Sequence, residues 1–279
     1  MSEMNIFDRL IHTTIRIETS GPAGEGSGTG FFVNFHEHGE EKVVPVIVTN
    51  KHVVEGASSI RLRFTKKEES TDRPIFGDMI EIEITDKSAW VYHDDINVDL
   101  CAIPFAAIAE ASKADGNPIF VKAFNIADIA NQDFLESLVP IEDILMIGYP
   151  NGLWDSKNNL PITRRGVTAT SPGIDFDGVA QFVIDCACFP GSSGSPILLY
   201  NPTTYFDKSS GSLMMGGRIK LIGILWGGPQ FDSIGEIKVL PVPTSAHPIS
   251  HAKIPMNLGY CIKSTELFYF DQAFARLLG

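Results

Sequence analysis

Positive charge is scarce in these 279 residues: 22 Lys and Arg stand against 34 Asp and Glu, for a net charge of -12. Nucleic-acid binding depends on Lys and Arg displacing condensed counterions, so a primary role on DNA or RNA is excluded. Anionic membrane surfaces are excluded on the same ground. Long apolar runs are missing too. No stretch reaches the 18 or so residues of a membrane span, and MSEMNIFDRLIHTTIRIETS lacks the basic-then-apolar order of a secretion signal. A cytoplasmic location is the expectation.

Cysteine is sparse, with four residues: Cys101, Cys186, Cys188 and Cys261. Cys186 and Cys188 stand two apart in a strand-like segment, on one face and badly placed to pair. C-x-C with two distant partners is not a familiar zinc-ligand spacing. Reduced, buried thiols are expected, and no metal. The glycine-dense GPAGEGSGTGF contains no G-x-G-x-x-G frame and no Walker lysine, and it precedes a strand rather than a helix, so it offers a phosphate no helix N-terminus. Ser250 to Lys253 matches S-x-x-K without the S-D-N or K-T-G that would give it meaning. No organic cofactor is implied.

What is present is a globular composition, 44% hydrophobic with 25 Gly and 17 Pro, enough to bury a full core. Strand signals dominate: IHTTIRIE, FFVNF, VVPVIVT, IRLRF, IEIEI and VDLCAI, then ILMI, GVTAT, AQFVIDC, PILLY, RIKLIGILW and GYCIK. Short strands between Gly, Pro and Asp turns predict barrels or a sandwich rather than βαβ units. Helix-like stretches in 104–140 predict a connection between two β halves, 1–125 and 126–279. STELFYFDQAFARLL places Leu267, Phe270, Phe274 and Leu277 at helical spacing, predicting a terminal helix packed on the second half. Residues 227–256 read as a long surface loop.

PGSSGSPIL, from Pro190 to Leu198, pushes three small hydroxyls into a glycine-rich corner just before an apolar strand. A serine hydroxyl is a weak nucleophile unless a base takes its proton, and that base is usually a histidine oriented by a carboxylate. Of seven histidines, His12 reads as strand, His36 and His38 as a polar turn, His93 as a solvated turn, and His247 and His251 as late loop. His52 differs, because it follows the very apolar VVPVIVTN and is held at a strand exit. Alone, such a histidine is more often structural than catalytic. Asp94 and Asp95 belong to a polar turn, whereas Asp99 is set among Leu100, Cys101 and Ile103, where a carboxylate needs a donor.

Taken in order, TGFFV, VIVTNKHVV, VDLCAI, MIGYPNG, FPGSSGSP and LIGILWGG resemble the trypsin-like serine proteases, above all the bacterial HtrA-like and related intracellular members. The resemblance runs from about residue 11 to 263. It implies an all-β fold of two six-stranded antiparallel Greek-key barrels with a C-terminal helix, and an endopeptidase working through an acyl-enzyme. Carried over by motif, the triad is His52, Asp99 and Ser193, with Ser192 and Ser195 as loop residues. The amides of Gly191 and Ser193 form the oxyanion hole. Ala187, Cys188, Leu225, Trp226 and Gly227 line the pocket for the P1 side chain, with Gly259 and Tyr260 behind, and a neutral P1 residue is expected. Asp185 and the Arg164–Arg165 pair are further candidates for substrate contact, each with a structural or solvated alternative.

The chain also departs from the family. Ser192 stands where secreted members carry the aspartate that pairs with a freed N-terminus, and cysteines flanking the histidine are absent. The stretch after Lys263 is too short for a PDZ domain. A specific protein or peptide substrate and an activating protein partner are compatible with the resemblance. A catalytically silent binding or sensor module of the same fold is the alternative.

Overall fold

In a computed structural model, which describes residues 4–35, 43–236 and 249–278, two strand systems divide the chain. The first contains β1 (Thr14–Gly21), β2 (Gly24–Phe35), β3 (Val44–Thr49), β4 (Ser59–Lys67), β5 (Pro74–Ile84), β6 (Val91–Tyr92), β7 (Cys101–Pro104), β8 (Ile119–Phe120) and β9 (Phe124–Asn125). Their order is β5-β4-β1-β2-β3-β7-β6, with β8 on β4 and β9 on β2. The second contains β10 (Asp143–Gly148), β11 (Ile162–Thr168), β12 (Gln181–Asp185), β13 (Pro196–Asn201), β14 (Thr204–Asp207), β15 (Ser212–Met215), β16 (Arg218–Gly227), β17 (Gln230–Glu236), β18 (Ile249–Pro255) and β19 (Leu258–Lys263). Six of these close a barrel, β10-β11-β12-β19-β16-β13. The closed barrel thus has the six strands expected, with β14-β15 and β17-β18 as separate pairs beside it, whereas the first system is a nine-stranded sheet rather than a six-stranded barrel.

Alternation decides what each strand buries. In β1, Ile15 and Ile17 point inward, as do Ile60, Leu62 and Phe64 of β4. Arg61 and Arg63 between them face out and meet Glu81 of β5 at 3.1 and 2.7 Å. Strands β2 and β3 break the alternation because both of their faces are covered. Phe32 and Ile47 enter the first core with Ile17 and Phe64. Phe31, Val33, Val46 and Val48 point the other way and pack with Leu198, Leu221 and Ile224 of the barrel. At about 1.5–3 kcal/mol for each such side chain, this seam sets one strand system firmly against the other.

Helices are few and short: α1 (Ile6–Leu10), α2 (Lys51–Val54), α3 (Ala106–Ala114), α4 (Gln132–Ser137) and α5 (Phe268–Leu278). None among the described residues is long and apolar enough to cross a membrane. The connection 104–140 carries α3 and α4 as expected, but β8 and β9 within it return to the first sheet. The terminal helix corrects a second expectation. Phe270 and Phe274 of α5 lie 6.2 Å from the ring of Phe35 on β2, so α5 covers the seam rather than the second half alone. Leu267 is buried with them, whereas Leu277 is exposed. The 227–256 stretch, expected as loop, contributes β17 and β18, which pair antiparallel.

His12 sits in the turn before β1, not in a strand. Its buried ring meets Phe120 edge-on at 4.9 Å. Burial, aided by the charge of Lys122, pushes its pKa down to about 4. The unfolded chain therefore takes up this proton first as the medium is acidified, and stability falls between about pH 6.5 and 4. His12→Phe is expected to flatten that limb of the stability curve, measured by urea unfolding across the same range.

Candidate active site

Strand β3 delivers His52. Thr49 at its end is fully buried, and α2 begins two residues later. The Asp99 carboxylate closes on this helix from the segment before β7. One oxygen accepts the His52 backbone N–H at 3.0 Å, and the other bonds the ring Nδ1. An ionised carboxylate only accepts, so Nδ1 carries the proton and Nε2 keeps a free lone pair. Asn50 adds a bond from its Nδ2 to the Asp99 carbonyl at 2.8 Å. Asp95 instead ties its own turn, accepting from Asn97 N–H at 2.8 Å, and Asp94 is exposed.

The loop from Ala187 to Ser195 separates its three serines. Ser192 and Ser195 are fully buried, while Ser193 is partly exposed and lines a cavity of about 230 Å³. The turn is built on two left-handed glycines, Gly191 and Gly194, each with φ near +85°. A Cβ on Gly194 would fall 1.9 Å from the carbonyl oxygen of Thr29, and one on Gly191 2.6 Å from that of Tyr149. Only glycine fits either place.

Backbone bonds aim this loop. Thr29 N–H donates to Ser193 O at 2.9 Å, Gly194 N–H to Leu225 O at 2.8 Å, and Asn151 N–H to Pro190 O at 2.5 Å. The last fixes the orientation of the Pro190–Gly191 peptide. Among the described residues the amides of Gly191 and Ser193 find no acceptor. The Ser193 hydroxyl donates to Trp226 O at 3.5 Å, and no hydrogen bond joins it to His52 in this conformation.

Of the residues expected around the P1 pocket, Cys188, Leu225 and Gly227 line the cavity with Ser193. Ala187 and Trp226 do not. The Ala187 carbonyl is taken by Arg164, and the Trp226 ring stacks on Tyr260 while its Nε1 donates to Gln181. Phe189, Pro190, Gly228, Pro229 and Leu258 complete the lining. They were missed because loop residues around β16 and β19 reveal their facing only in the fold. Gly259 backs the cavity, its Cα leaving no room for a Cβ beside Cys188 and Leu225. Asp185 is exposed on β12 and does not line it. Burial pushes the Cys188 thiol up to about 12, so that sulfur stays protonated and is no rival nucleophile.

Other histidines are placed elsewhere. His93 is buried, correcting the solvated turn expected of it: Tyr269 of α5 covers its ring at 4.2 Å. His36, His38 and His247 lie outside the described residues, as does the side chain of His251. No cluster able to hold a metal occurs among the described residues. Arg165 pairs with Asp143 at 2.9 Å on the surface, whereas Arg164 turns inward.

Comparison with known proteins gives the family and the fold. Residues 28–201 match the family model described as "Trypsin-like peptidase domain". Among curated proteins none matches. A thermostable serine protease, AL20, from an extremophilic microorganism shares the fold with a TM-score of 0.50 at 14% identity, over 95% of this chain and 98% of that one. A serine endoprotease from Yersinia pestis aligns with a TM-score of 0.48 at 15% identity, over 99% and 68%. Because the family model matches more than half of this chain, the chain belongs to the trypsin-like peptidases and is a serine endopeptidase.

Proposed function

We propose that the protein cleaves peptide bonds with His52, Asp99 and Ser193 as its triad. The observation that carries this is the Asp99–His52 pair together with a loop in which only Ser193, of three serines, is partly exposed and lines a cavity. The Ser193 hydroxyl turns from Trp226 O toward His52 Nε2, gives up its proton there, and its oxygen attacks the substrate carbonyl carbon. The amides of Gly191 and Ser193 take the resulting oxyanion as donors fixed before the charge appears. The imidazolium, held by Asp99, returns the proton to the leaving amine, and water released onto the acyl-enzyme completes hydrolysis by the same path.

The units 1–125 and 126–279 meet at this cleft and contribute base and nucleophile respectively. The apolar lining by Cys188, Leu225 and Leu258 suits a neutral P1 side chain. Four buried, unpaired thiols fit a reducing cytoplasm as its setting, and the resemblance to bacterial members suggests a bacterial cell. A single dedicated protein substrate and an activating protein partner fit the same reading. The silent-module reading has one observation on its side, the Ser193 hydroxyl bonded to Trp226 rather than His52.

Intact mass after fluorophosphonate treatment separates the two. Wild type is expected to gain one adduct on Ser193, and Ser193→Ala and His52→Ala none; folded wild type that stays unlabelled favours the silent module. Gly191→Ala tests the oxyanion donors. Its Cβ has no space beside Tyr149 O, so the peptide must rotate. A fall of at least about 100-fold in labelling rate is expected, the effect of losing one such donor, with the fold retained by circular dichroism.

A further inference from the structure

Arg164 and Arg165 are neighbours on β11 with opposite surroundings. Arg165 is a surface arginine, paired with Asp143 and stacked over the Tyr200 ring at 5.6 Å. Arg164 points under the nucleophile loop. Its Nη1 donates to the Ala187 carbonyl at 2.6 Å and to the Ser192 hydroxyl at 2.9 Å. Its Nε and Nη2 are buried without a hydrogen-bond partner. Among the described residues no carboxylate pairs with it. Burial lowers its pKa, and the thiols of Cys186 and Cys188 are close enough to oppose that shift.

Stability alone does not account for such a residue. A largely desolvated guanidinium without a counter-charge is costly, and an apolar side chain of similar volume is usually tolerated as well or better. What the charge does here is specific. The two oxygens it binds bracket the segment that contains Gly191, and the second belongs to the residue just before Ser193. Hydrogen bonds from a charged donor are stronger than neutral ones, and the planar guanidinium fixes their direction. The Pro190 and Gly191 carbonyls are held from the other side by Asn151 N–H and by the Thr29 hydroxyl at 2.9 Å. Gripped from both sides, the loop keeps the Gly191 and Ser193 amides aimed into the cleft.

We propose that Arg164 is a positioning residue for catalysis: it pins Ala187 O and Ser192 Oγ from beneath and so holds the two oxyanion-binding amides in place. This rests on the reading of Ser193 as nucleophile.

The test is the kinetics of fluorophosphonate labelling in Arg164→Met, Arg164→Lys and Ser192→Ala, each well below its melting temperature. Arg164→Met is expected to lower the maximal labelling rate by about 100-fold with the half-saturating reagent concentration unchanged, as for a lost oxyanion donor. Its melting temperature is expected to change little, because relief of the buried charge offsets the donors lost to Ala187 O and Ser192 Oγ. Arg164→Lys keeps the charge and recovers part of the rate, and Ser192→Ala loses about 10-fold. A merely structural role would lower the melting temperatures and leave the labelling rates alone, and that result overturns the proposal. Should Arg164→Met not fold, wild-type labelling rates in both Ser192→Ala and Arg164→Lys would overturn it equally. Wild type that labels at a residue other than Ser193 defeats the nucleophile reading instead, a result distinct from unaffected Arg164 variants.

Discussion

Thr29 joins the two strand systems at the point where the site is assembled. It is fully buried in β2 and uses every polar atom it has. Its N–H donates to Ser193 O at 2.9 Å and its hydroxyl to Gly191 O at 2.9 Å. The same hydroxyl accepts from Tyr149 N–H at 3.2 Å, and its carbonyl accepts from the Thr49 hydroxyl at 2.7 Å. Thr49 lies three residues before His52. One side chain and one peptide unit therefore register the strand leading to the proposed base against the loop carrying the proposed nucleophile. The close approach is possible because Gly148 and Gly194 leave no Cβ between the chains.

The loop between β10 and β11 extends the same connection. It leaves the barrel at Tyr149, whose hydroxyl reaches Thr14 O at 3.4 Å. Trp154 packs against the guanidinium groups of both Arg16 and Arg63, 5.4 and 4.9 Å from its ring. Asn159 donates to Arg63 O at 3.0 Å and to Thr65 Oγ1 at 3.2 Å. Loop residues of the barrel are thus anchored on the outer face of the first sheet. Asn151, near the root of that loop, fixes the Pro190 carbonyl. Aromatic and charge contacts on one face and the direction of a single peptide in the cleft belong to one continuous structure.

Sequence patterns announced much of this and for a definable reason. His52, Asp99 and Ser193 each sit at the edge of a strongly apolar strand, and a polar residue at such an edge stands out locally. The alternation of IRLRF and IEIEI marked β4 and β5 in the same way. Thr29 did not stand out, since its role depends on contacts with residues more than a hundred positions away. Arg164 read as one of two loop-face cations because β11 shows its inward face only once Met146 is paired opposite. His93 read as solvated since the cover comes from Tyr269, far along the chain. The apolar runs FFVNF and VVPVIVT marked β2 and β3 as strands, but not that α5 would share in covering one of their faces. The cavity beside Ser193 was half legible: Cys188, Leu225 and Gly227 follow from motif register, and Leu258 and Phe189 from the fold alone.

The central claim is that Thr29 sets the registry of the site, and Thr29→Val tests it most directly. Valine fills the same volume but leaves the Gly191 carbonyl and the Tyr149 N–H buried without their partner, at a cost of about 1–3 kcal/mol. The measurement is the fluorophosphonate labelling rate at Ser193 below the melting temperature, with Thr29→Ser, which restores the hydroxyl, alongside. The account predicts at least a roughly 10-fold slower rate for valine, as expected for that loss at the oxyanion loop, and recovery with serine. Equal rates in all three proteins would mean that the nucleophile loop holds its shape without Thr29, and would contradict the account.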